Sequence, residues 1–91
     1  MKKNLERWIP GYLIRNRADK SRLAIVEGDY NYLHDSRGFD TFAVCELGED
    51  GEIKSNWAWA YRDQWELVDT EHVVENLIKM VNYKGKLLLS H

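Results

Sequence analysis

Trp57, Trp59 and Tyr61 sit two residues apart, and side chains two apart on an extended backbone share one face. Ala58 and Ala60 then line the opposite face, where their small side chains let a neighbouring segment approach closely. Arg62, Asp63 and Gln64 interrupt this alternation, and residues 65–68 resume a short extended run. A long strand, one tight turn and a short final strand leave few folds open to a chain of 91 residues. The pattern demands a sheet, but it does not say which face of the long strand is interior.

The rest of the chain supplies partners for that strand. Pro10 and Gly11 signal a turn. Leu5, Trp8 and Ile9 before it read as one helical turn or as an arm lying on the fold. Residues 12–15 read as a first strand, residues 22–27 as a second and residues 40–47 as a third. Asp50-Gly51 carries a hairpin signal, because glycine supplies the positive φ that a tight turn needs. Residues 53–61 are the fourth strand and residues 65–68 the fifth.

The hydrophobic period then changes from two to 3.6. Asp69 or Thr70 is placed to cap a helix, with Glu71 in its favourable first turn. Val73, Val74, Leu77, Ile78 and Val81 form an apolar stripe on a helix over about residues 70–83. Gly85 reads as the stop. Leu87, Leu88 and Leu89 then form either an extra strand or a hydrophobic tail over residues 86–91, and such a segment is expected to be covered, by this chain or by a second copy.

The chain is long enough for one domain, residues 1–91, with one core. Four tryptophans, five tyrosines and two phenylalanines carry much of that core. The single cysteine, Cys45, makes no intramolecular disulfide and suits a reducing compartment. Met1, Lys2 and Lys3 are followed by Asn4, Glu6 and Arg7 instead of an apolar run, and no run approaches the roughly 20 residues of a membrane helix. A soluble, cytoplasmic protein without a membrane partner is expected.

Chemistry-bearing groups are sparse. His34, Asp35 and Ser36 are consecutive in a segment without clear periodicity, and consecutive residues rarely converge as a nucleophile, base and orienter. No catalytic residue is assigned, and His34 would need a pocket and a perturbed carboxylate beside it to become one. Cys45 lies in an apolar strand and reads as a small hydrophobe. No metal-ligand spacing and no glycine-rich phosphate loop appears, so neither metal nor cofactor is expected.

The net charge of −2 conceals an asymmetry. Residues 1–22 carry seven basic side chains against two acidic ones, while residues 23–71 carry twelve acidic against three basic. Either the two ends fold back and neutralise the middle, or a charged face meets a partner. A basic face built on Arg15, Arg17, Lys20 and Arg22 would suit nucleic acid, with Trp57, Trp59 and Tyr61 as a stacking platform. An acidic face would suit a basic protein, as in an inhibitor mimicking DNA or an immunity protein capping a toxin.

Residues 11–69 resemble the SH3-like small β-barrel. The resemblance rests on residues 12–17, 23–27, 42–47 and 53–61, and on the run from Tyr61 to Val68, which is similar to the single 3₁₀ turn and final strand of that fold. It implies a mostly β, α+β protein, a five-stranded barrel followed by the amphipathic helix. In make-up the chain is similar to small accessory proteins of phages, prophages and bacteria. The expected function is non-enzymatic protein binding. Its surface would be the long loop with Tyr30, Tyr32, His34, Asp35 and Arg37, beside exposed members of Trp57, Trp59 and Trp65. A nucleic-acid-binding module of the related KOW type, using the basic N-terminal third, is the alternative. A homodimer through residues 70–83 or through Leu87, Leu88 and Leu89 is a further expectation.

Overall fold

The computed structural model describes residues 8–29 and 41–89. Five strands lie within them: β1 (Leu13–Asn16), β2 (Leu23–Asp29), β3 (Thr41–Leu47), β4 (Ile53–Tyr61) and β5 (Trp65–Asp69). A 3₁₀ turn over Arg62–Gln64 joins β4 to β5, and helix α1 spans Val73–Leu89. The strands form one antiparallel sheet in the order β4-β3-β2-β1-β5.

The turns follow from local chemistry. Asn16 Oδ1 accepts the amides of Ala18 and Asp19 at 3.0 and 2.9 Å and so turns the chain from β1 to β2. Gly51 has φ +83° in the turn between β3 and β4, and its N–H donates to the Gly48 carbonyl at 3.0 Å.

The expected closed barrel is not formed. β4 and β5 are the two edges of an open sheet and do not pair with each other. The sheet nevertheless cannot be flat. Edge strands four spacings apart would lie about 19 Å from one another. The turn over Arg62–Gln64 must bridge them, and a 3₁₀ path rises only about 2 Å per residue. The sheet therefore curls until its edges approach, and register shifts in β2 between Val26 and Gly28 and in β1 at Leu13 and Ile14 supply local bends.

Curling gives the sheet an inner and an outer face, each with its own core. The inner cluster joins Ile14, Ala24, Val26, Phe42, Val44, Ala60 and Trp65, with Ala58 and Leu67 packed against it. Trp8 closes it from the arm before β1, its ring centroid 4.9 Å from that of Phe42 and the Arg62 guanidinium 5.0 Å from its own. The alanine face of β4 is thus interior. The outer cluster joins Ile25, Cys45 and Met80, with Leu13, Leu47, Ile53 and Leu77 around them.

Helix α1 covers that outer face. It extends beyond the expected residue 83, and Gly85 lies inside it instead of ending it. Leu87 and Leu88 are in its last turn, so the reading of residues 86–91 as an extra strand or a hydrophobic tail is corrected over the described part, which is helical. A mid-helix glycine costs about 1 kcal/mol relative to alanine. Contacts with the sheet hold the turn around it: Lys84 pairs with Glu27, and Tyr83 Oη donates to the Lys54 carbonyl at 3.5 Å. At the other end Asn76 Nδ2 donates to the Gly11 carbonyl at 2.8 Å.

The entry to α1 is fixed by charge. Asp69 Oδ1 accepts the Glu71 amide at 2.7 Å, and its other carboxylate oxygen meets His72 Nδ1. The Glu71 amide, then His72, hold the Asp69 carboxyl below its ordinary range. Asp69, then Glu75 at a longer range, raise His72 above the ordinary 6.5. The Asp69 contribution is present above its ordinary 3.8 and is lost as pH falls through its lowered value. The His72 contribution is present below 6.5 and is lost as pH rises through its raised value. His72→Ala should therefore lower the melting temperature most between about pH 4 and 6 and have least effect at alkaline pH. Melts of both proteins across this range test this, and a difference that does not change with pH would contradict the pairing.

Candidate interaction surface

The apolar stripe of α1 is divided between sheet and solvent. At 100° per residue, Val73, Leu77 and Met80 turn toward the sheet, and Val74, Ile78, Val81 and Leu88 turn away. Met80 is buried, and Val73 and Leu77 are half-buried. Val74, Ile78, Val81 and Leu88 are 68, 54, 69 and 76% exposed. With Gly85, the outward residues are spaced four, three, four and three apart, the spacing of a seam between paired helices.

The seam has a charged flank. Glu75 lies beside its N-terminal half and Lys86 beside its C-terminal half, on the same side of the helix. A groove of about 550 Å³ opens beside Gly85, lined in part by Glu52, Ile53, Tyr83 and Lys86. A Cβ built on Gly85 would meet nothing within 4 Å.

The aromatic and loop residues expected to bind protein are distributed differently. Tyr30, Tyr32, His34, Asp35 and Arg37 lie outside the described residues, as does the side chain of Trp57. Trp59 is 48% exposed on edge strand β4. Trp65 is 4% exposed and belongs to the inner core, so it is no surface anchor.

The four cations expected to meet nucleic acid are engaged within the fold. Arg15 and Lys20 converge on Glu66 Oε2 at 2.8 and 2.9 Å, and together they lower the Glu66 carboxyl, Lys20 first. Arg22 pairs with Glu46 at 2.9 Å and lies 5.3 Å from the Trp65 ring centroid. Arg17 Nε donates to the Trp65 carbonyl at 3.2 Å. Arg15, Lys20 and Arg22 from the basic first third thus pair with carboxylates of the acidic middle, and Lys84 on Glu27 does the same from the C-terminal side.

Cys45 is fully buried beneath α1. Burial first, and the Glu27 carboxylate second, push its thiol up to about 11, so the nucleophilic thiolate is scarce at neutral pH. Among the described residues no helix is long and apolar enough to cross a membrane.

The seam of α1 was not separated from its buried neighbours by sequence reasoning, although the signal was present. Positions 74, 78, 81, 85 and 88 form a second stripe once Gly85 is allowed inside the helix. No family model, curated protein or solved structure matches this chain.

Proposed function

We propose that this chain is a small, non-enzymatic protein-interaction module, an open curled sheet of SH3-like strand order whose docking surface is the outward seam of α1. The observation that carries the reading is the exposure of Val74, Ile78, Val81 and Leu88 along one line of a helix whose other side is already packed on the sheet. Contiguous exposed apolar surface of this kind marks protein contacts. The sheet order and the 3₁₀ turn before β5 support the SH3-like assignment. The carboxylates of Glu27, Glu46 and Glu66 are taken up in ion pairs, which favours the apolar seam over an acidic face as the contact. Pairing of Arg15, Lys20 and Arg22 likewise weighs against phosphate binding.

Capture from lysate tests the reading, using nuclease-treated extract and two baits, the natural chain and Ile78→Glu. The expected result is a discrete protein held by the natural chain and lost from the variant. Recovery of nuclease-sensitive material alone, or of protein indifferent to Ile78→Glu, would overturn it.

A further inference from the structure

Building on the reading of the α1 seam as a docking surface, we infer that its occupant is a second copy of this chain, bound as an antiparallel helix pair about a two-fold axis. A symmetric dimer uses one patch twice, so the patch must complement itself. This one does so in size and in charge. An axis passing between Ile78 and Val81 packs Ile78 of each copy on Val81 of the other. The same axis places each Val74 opposite the other copy's Gly85, where the helix has no side chain and the surface opens into the groove.

Charge selects the antiparallel direction. Flanks of equal hand face each other in an antiparallel pair, and the chosen axis sets Glu75 of one copy on the flank facing the other copy's Lys86, offset along the helix by about two residues' rise, about 3 Å. The pair occurs twice by symmetry. Glu75 is well exposed, with His72 Nε2 at 3.9 Å, and Lys86 has no ion pair among the described residues. A parallel pair would bring this flank against the side bearing Leu77 and Lys84, which are turned to their own sheet and to Glu27. Antiparallel helices also align their dipoles favourably. The contact is one helix about 25 Å long on each side, less than a standard stable interface, so association is reversible and concentration-dependent.

Sedimentation of the full chain from about 1 µM to about 1 mM reads this directly. The expected result is a monomer–dimer equilibrium, weakened more than about a hundredfold by Ile78→Glu, which sets two carboxylates in the seam. Glu75→Lys and Lys86→Glu should each weaken the dimer about tenfold, since symmetry doubles each charge clash, and the double variant should restore it. Circular dichroism of every variant confirms an intact fold, and the exposure of all three positions makes that the expected finding. A chain monomeric throughout the range would overturn the inference, as would a dimer indifferent to Ile78→Glu or a double charge reversal without restoration. A monomer that still captures another protein through Ile78 leaves the interaction-module reading standing and removes only the second copy. A dimer that captures nothing removes recruitment of other proteins and keeps the self-association.

Discussion

Trp65→Ala is expected to cost about 3–5 kcal/mol of folding stability, the range for truncating a buried aromatic. Trp65 opens β5, is 4% exposed and joins side chains from all the other strands of the sheet with Trp8 of the arm. The curled sheet has no ladder of hydrogen bonds between β4 and β5. Its two edges are linked instead through this cluster, where Trp65 and Leu67 from β5 meet Ala58 and Ala60 from β4. Removing the indole also removes the surface over which the Arg22 guanidinium lies. A domain of this length has about 5–14 kcal/mol in total, so a single truncation consumes a large fraction. Urea unfolding followed by far-ultraviolet circular dichroism measures the loss. Ile78→Ala, truncating a residue 54% exposed on α1, should change monomer stability by less than about 0.5 kcal/mol at low protein concentration. Similar losses for the two variants would mean that the inner cluster does not unite the sheet edges.

The contrast between these residues marks how far the sequence could be read. Strand positions and turns were legible because they are local. Alternation gave β4 its bounds of Ile53–Tyr61, and Asp50-Gly51 marked the turn before it. The interior face of β4 was not legible. An alanine face is a poor core by itself, and it becomes interior only because Trp8 and Trp65, far away in the chain, fill the space above it. The helix was legible as a helix but not in its extent. Gly85 is locally unfavourable, and the contacts that outweigh it join Lys84 to Glu27 and Tyr83 to Lys54, across 57 and 29 positions.

Charge gave a similar partial reading. The excess of cations near the start and of carboxylates in the middle announced an attraction between them, but not its geometry. Arg15 and Glu66 meet because β1 pairs with β5, across 51 positions of sequence. Once they meet, a basic patch that looks suited to phosphate becomes a cross-strand ion pair on the sheet. The apolar seam of α1 has the opposite history. It reads as core by composition and stays outside because the sheet has room for one side of the helix only.

Gly11→Ala should destabilise the chain by about 2–4 kcal/mol, combining a backbone penalty of about 1–2 kcal/mol with the cost of steric crowding. Gly11 has φ +100°, and a Cβ there would lie 2.7 Å from Val73 Cγ1 and 3.0 Å from the Val73 carbonyl oxygen. The residue joins three parts of the molecule. Its N–H donates to the Val26 carbonyl on β2 at 2.9 Å, its carbonyl accepts from Asn76 on α1, and it follows the arm that carries Trp8. A methyl group at this junction pushes the first turn of α1 off the outer face. Gly51→Ala is the matched control, because Gly51 has φ +83° but nothing within 4 Å of a new Cβ. It should show the backbone penalty alone, about 1–2 kcal/mol. At roughly 4–8 °C per kcal/mol for a domain of this size, thermal melts resolve the two. Hydrogen exchange separates the mechanism further. In Gly11→Ala the amides of α1 should lose protection before those of β2 and β3, since the helix is seated on a sheet that keeps its inner cluster. Equal melting temperatures for the two variants would show that the helix seat tolerates the extra methyl group, and simultaneous loss of helix and sheet protection would show that α1 and the sheet unfold together.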